Sequence, residues 1–275
     1  MWKNCCPLIP NIETAMLRTS RLQVAVVASV AVLAACGSDS GVAPGATPAT
    51  TLEQVFKEMT VPGLSAVASV GGGVSAPLGG GFAIPTGCSF AAASQSFVCP
   101  SVTANGFTVT QSYTLLNAAG GSLSQFDASV VAAVRVRSSL AGTTTVNGST
   151  QTMNSERVQT LSGLQTATHT LNGTMTTATQ RAGAVGGGGP SSFTSNSTTS
   201  VANLVLPAAG SATKYPKSGT VTIDMRISNG TTPAFDLRFV MLYDGSSKVR
   251  VTTSRDGDVT STCTVDLASS APICA

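Results

Sequence analysis

One histidine and seven cysteines stand among the 275 residues, and they set the limits on catalytic chemistry. His169 lies in "TATHTLNG", a polar strand-like stretch ending in an Asn-Gly pair. A lone imidazole works as base or metal ligand only beside a nucleophile or further ligands. No second histidine completes a metal set, and the cysteines contain no C-x-x-C spacing. Asp256 and Asp258 flank Gly257 in "RDGDVTS", which suits a turn better than a glycosidase pair. That string also offers fewer oxygen ligands than a calcium loop needs. The glycine runs at 71–73 and 79–81 precede no Gly-Lys-Ser/Thr string, so they make no phosphate cradle. Asn147, Asn172, Asn196 and Asn229 each begin an N-x-Ser/Thr string and are assigned to turns and strands. The expectation is a non-enzymatic protein without cofactor or metal.

The cysteines point to structure instead. Cys88 and Cys99 enclose "SFAAASQSFV", and Cys263 and Cys274 enclose "TVDLASSAPI". Four cysteines permit three connectivities. In both segments strand-like residues adjoin the cysteines and turn-prone residues lie between them. Two hairpins would bring each pair face to face, so Cys88–Cys99 and Cys263–Cys274 are the expected bridges. Phe90 would then stand opposite Phe97, and Val265 opposite Pro272.

The elements that hold these residues are mostly strands. One helix is expected: Thr51 can cap it, Gln54 occupies the capping-box position, and Leu52, Val55, Phe56 and Met59 recur at helical spacing. Pro62-Gly63 ends that pattern. Beyond residue 82 the alternation has period two. In "FTVTQSYTL" Phe107, Val109, Tyr113 and Leu115 share a face; in "SVVAAVRVR" Val130, Ala132, Val134 and Val136 do. "TVTIDMRIS" sets Val221, Ile223, Met225 and Ile227 against Thr222, Asp224, Arg226 and Ser228. "AFDLRFVMLY" answers with Phe235, Leu237, Phe239, Met241 and Tyr243. Reversing the chain about Thr231 pairs Asp224 with Arg238 and Arg226 with Asp236 on one face. The same register pairs Met225 with Leu237 and Ile227 with Phe235 on the other.

Turn chemistry joins the strands in sequence. Asn147-Gly148 and Asn172-Gly173 are expected two-residue hairpins, because Asn-Gly accepts positive φ at both loop positions. Asp244-Gly245 and Asp256-Gly257 mark further reversals. The Thr-rich region from 143 to 200 alternates weakly, so its register is poorly specified and it is placed at an edge or solvent-facing part of the sheet. "GAVGGGGPSS" at 183–192 is a long loop. The fold class is mainly β: a large antiparallel meander forming a curved sheet, open barrel or sandwich, with one short N-terminal amphipathic helix. Nine phenylalanines and three tyrosines without paired girdles argue against a membrane barrel.

Location comes from the N-terminal stretch. Arg18 and Arg21 precede an apolar run over 22–35, too short to span a bilayer comfortably, which ends at Leu33-Ala34-Ala35-Cys36. This stretch resembles the signal peptide and lipobox of bacterial lipoproteins. The resemblance implies cleavage before Cys36 and acylation of its thiol and new amine, and it says nothing of the folded region. It makes residues 1–35 a leader, with Met16 the expected start and 1–15 an extension. Residues 36–51 become lipidated cysteine plus flexible tether, and 52–275 one β-rich domain. Gly37 follows the cysteine where an inner-membrane retention signal often has Asp, which favours the outer membrane.

Net charge is +3 for the whole chain, and Lys3, Arg18 and Arg21 lie in the leader, so no electrostatic case exists for nucleic acid. The partner implied by the anchor is the membrane itself. Two functions are carried forward. One is an apolar or lipid ligand held on a face formed by Leu52, Val55, Phe56 and Met59 with Val221, Ile223, Met225, Ile227, Phe235, Leu237, Phe239 and Met241. The other is a structural or surface-interaction module. Mass analysis of the protein from a bacterial membrane should find Cys36 N-terminal and acylated; an unmodified chain retaining residues 24–35 contradicts the lipobox.

Overall fold

The computed structural model describes residues 84–104, 106–146, 149–183, 192–207, 215–228, 233–267 and 271–274. Among the described residues fourteen antiparallel strands belong to one sheet: β1 (Ser89–Ala91), β2 (Ser96–Val98), β3 (Val102–Ala104), β4 (Phe107–Leu116), β5 (Ser122–Leu123), β6 (Ala133–Val146) and β7 (Ser149–Ser162). They continue as β8 (His169–Ala182), β9 (Ser192–Leu206), β10 (Ser218–Ser228), β11 (Phe235–Tyr243), β12 (Lys248–Arg255), β13 (Asp258–Asp266) and β14 (Ala271–Cys274). Spatial order follows the chain as a meander, except that β3 and β5 join β2 in pairing with β4. The pairing path does not close on itself. The expected helix with Leu52, Val55, Phe56 and Met59 lies outside the described residues, as does Cys36.

Alternation decides which face turns inward. Tyr113, Leu115, Val134, Val136, Val221, Leu237, Phe239, Met241, Val249 and Val265 are all buried and join one apolar cluster running from β4 to β13. Leu115, Val134 and Leu204 have no exposed surface at all. In-sheet neighbours alone cannot cover a side chain so completely, so this face is turned inward, as a sheet this wide tends to curl.

Several expected registers are present. β10 and β11 pair Asp224 with Arg238, Met225 with Leu237, Arg226 with Asp236 and Ile227 with Phe235. Phe90 stands opposite Phe97 with ring centroids 5.4 Å apart, beside the Cys88–Cys99 disulfide. Cys263 is disulfide-bonded, Cys274 is its cross-strand neighbour, and Val265 faces Pro272. The β6–β7 ladder ends with Val146 opposite Ser149, which leaves a two-residue connection at 147–148. Asp256 and Gly257 both have positive φ between β12 and β13, as a tight hairpin requires.

Three expectations are corrected. Val130 and Ala132 precede the strand: Asp127 accepts hydrogen bonds from the amides of Val130 and Val131, so Val131 enters the core and Val130 stays 41% exposed. The Thr-rich segments are solvent-facing on one side, as one alternative had it, but they are not at an edge. They form β6 to β9, the longest strands and the middle of the sheet, because long backbone ladders hold them where alternation is weak. Asn172-Gly173 is not a hairpin turn but lies inside β8.

What Asn172 serves is a bulge in the next strand. Between Leu204 and Val201 β9 carries one residue more than β8, and it carries one more than β10 over the same stretch. Asn203 takes a positive φ of 49°, and its amide donates to Asn172 Oδ1 at 2.7 Å. The extra residue puts both Val201 and Leu204 in the core, three positions apart. Glycines stand at close approaches on both flanking strands, Gly219 against the bulge itself and Gly173 against β7. A Cβ on Gly173 would strike the carbonyl oxygen of Val158, and one on Gly219 would strike Leu204. Gly173→Ala should lower stability by about 2 kcal/mol or more, as overpacking does. Asn172→Ala should cost about 1 kcal/mol, one hydrogen bond. Denaturant unfolding checks both, and a neutral Gly173→Ala contradicts the close approach.

Candidate functional site

The residues singled out for chemistry are dispersed. His169 opens β8 opposite Leu206, half-buried, and its Nδ1 is buried without a hydrogen-bond partner. Asp256 Oδ1 accepts from the Asp236 amide at 2.8 Å, and Oδ2 lies 3.5 Å from Arg255 Nε, so this carboxylate is engaged in its turn. Asp258 pairs across the same hairpin with Arg255. Among the described residues no group of three or more His, Cys, Asp or Glu could hold a metal ion.

The strand part of the apolar ligand face is largely packed core. Val221, Ile227, Leu237, Phe239 and Met241 are buried, and Ile223, Met225 and Phe235 pack against them. Tyr243 belongs to the same cluster, and burial pushes its phenol up to about 12. Its hydroxyl points to Met241 Sδ at 4.0 Å, a weak acceptor. Tyr113 is likewise raised by burial, against the nearby charge of Arg157. Arg157 is in turn lowered by burial, and its Nε donates to Ser138 Oγ at 3.1 Å.

Two concavities lie on the opposite face. A depression of about 380 Å³ is lined by residues of β7, β8 and β9, and one of about 480 Å³ by residues of β9 to β12 and Gly257. Asn196 and Thr198 line both, so the two form one trough crossing the strands. Its floor is two cross-strand rows. One runs Glu156, Thr176, Thr198, Asp224, Arg238, Ser254; the other runs Asn154, Ala178, Asn196, Arg226, Asp236. Nearly all of these are exposed. Backbone pairing holds each row straight, and alternation keeps both rows on the face away from the core.

Charges in the trough neutralise one another. Arg226 Nη1 lies 3.0 Å from Asp236 Oδ2, and Arg238 Nε lies 3.6 Å from Asp224 Oδ1. These side chains are more than half exposed, so each pair contributes at most about 1 kcal/mol. The trough can offer hydroxyls, amides and paired charges to a ligand, without a nucleophile–base pair. Asn154, Thr176 and Thr198 escaped the sequence reading, and Asn196 entered it only as an N-x-Ser/Thr string. Their one signal was the density of Thr, Ser and Asn, which does not tell which residues face outward.

Neither a protein-family model, a curated protein nor a solved structure matches the chain.

The raised Tyr243 phenol has a pH consequence. Its folded value exceeds the ordinary 10.0, so the stability tied to the neutral phenol is complete below pH 10. It is lost as pH rises towards about 12. Thermal unfolding of Tyr243→Phe should therefore show a flatter decline than the parent across that interval; parallel declines contradict the burial.

Proposed function

We propose that this is a non-enzymatic, lipid-anchored lipoprotein of the bacterial envelope that uses the outward polar face of its sheet to engage a partner. The anchor and envelope location rest on Arg18, Arg21, the apolar run and Leu33-Ala34-Ala35-Cys36. Outer-membrane attachment rests on Gly37. The observation that carries the interaction role is the trough: two adjoining concavities sit on the face that presents hydroxyls, amides and paired charges, while the opposite face is packed as core. The apolar-ligand reading ranks second for the same reason. A guest on Val221, Leu237, Phe239 and Met241 would have to displace side chains that bury one another.

Cysteine accessibility in intact cells tests this. Thr176→Cys should react with a soluble thiol reagent several-fold more slowly in the envelope than in purified protein. Val259→Cys, 67% exposed on β13 and outside the trough, should react alike in both. Equal rates at Thr176 in both settings would overturn the interaction role. Fluorescent fatty-acyl probes should not bind the purified chain; saturable binding would return the apolar-ligand reading to first place.

A further inference from the structure

We infer that the occupant of the trough is a linear glycan bearing hydroxyl and acetamido groups, laid across the strands rather than along them. This inference rests on the interaction role proposed for the polar face.

Direction comes first. The two rows run perpendicular to the strands, and each step between neighbouring strands is about 4.8 Å. A pyranose unit in an extended β-linked chain advances by a similar length. Five such steps separate β7 from β12, so the trough spans about 24 Å and accommodates about five sugar units. A ligand whose own repeat matches the strand spacing meets a fresh hydroxyl or amide at every rung.

Chemistry comes next. Five large apolar side chains are exposed among the described residues: Val98, Val102, Phe126, Val130 and Val259. None lines the trough. Met225 and Leu237, which also line it, belong to the core cluster, so a protein partner would lack the exposed aromatic or aliphatic anchors that carry most interface energy. A nucleic acid or anionic membrane would need unpaired positive charge, yet Arg226 and Arg238 already face Asp236 and Asp224, and Glu156 adds a negative charge. Asn154 and Asn196 each present an amide able to donate and accept, which suits an acetamido group. Thr176 and Thr198 present hydroxyls that do the same for sugar hydroxyls. Without an aromatic platform each sugar contributes little, so affinity must accumulate along the chain.

The test is calorimetric titration of the full-length chain with chitohexaose, with cellohexaose, which lacks acetamido groups, as comparison. Chitohexaose should bind more tightly than cellohexaose and than chitobiose. Asn196→Val combined with Thr198→Val should weaken it at least tenfold, the loss of about 1.4 kcal/mol. Both changes place β-branched residues in a strand, so the fold is expected to hold. Thr143→Val, a hydroxyl on β6 outside the trough, should change nothing. Binding that survives the double substitution would move the glycan site elsewhere and overturn the assignment. Absence of chitohexaose binding would overturn the glycan. If Thr176→Cys were still protected in cells, the interaction role would stand with a different partner; if it were not, both readings would fall.

Discussion

Period-two alternation, propagated through backbone pairing, is the constraint on which the rest of this protein depends. In an antiparallel ladder, residues directly opposite one another share a face, so assigning one strand assigns its neighbours. Val221, Ile223, Met225 and Ile227 on β10 are paired through Met241, Phe239, Leu237 and Phe235 on β11, and Val201, Thr199, Ser197 and Ser195 on β9. The apolar side of one well-patterned hairpin thereby settles the inward side of strands whose own sequences are nearly uniform in polarity. A slip of one residue would place Asp224 and Arg226 in the core, which is a cost no exposed ion pair offsets.

The bulge at Asn203 shows how that constraint is kept where strict alternation would fail. Val201 and Leu204 cannot both face inward on a regular strand, since three positions separate them. One added residue, stabilised by Asn172 and accommodated by Gly219, restores the parity. Bulges also increase local twist. Here the feature lies next to Leu171 and Leu204, both buried in the core. The device spans three strands, so none of its parts carries meaning alone.

The outward face is the complement of the same alternation. Every inward apolar residue on β10 and β11 leaves a neighbour pointing out, and there Asp224, Arg226, Asp236 and Arg238 form two opposed pairs. Towards β7 and β8 those pairs give way to threonine and asparagine, with Glu156 as the one charge. The trough thus changes from paired charges to mostly uncharged groups along its length while remaining almost neutral. Such a surface has little to steer polyions and much to exchange hydrogen bonds, and this is the physical ground for the proposed kind of partner.

How much was legible in the sequence varied with local signal. The strand class, the β10–β11 register, the Phe90–Phe97 pairing and the Cys88–Cys99 bridge could be read directly, because each rests on residues within one hairpin's reach, with strong polarity contrast or a thiol partner across the same hairpin. The placement of β6 to β9 could not, since threonine and serine tolerate either face and their order is imposed by neighbours. Asn172-Gly173 was misread for a related reason: Asn-Gly favours a hairpin locally, but backbone pairing to β7 continues through it and pairing to β9 resumes at Gly173 after the bulge, so tertiary pairing outweighs a dipeptide preference. The trough was invisible for a third. Asn154, Thr176, Asn196, Asp224 and Arg238 are spread over more than eighty positions, and only the ladder brings them side by side. The sequence by itself determined which segments become strands and which side of the strongest ones is apolar. The tertiary structure alone decided which polar residues stand together, because that depends on register summed across many strands.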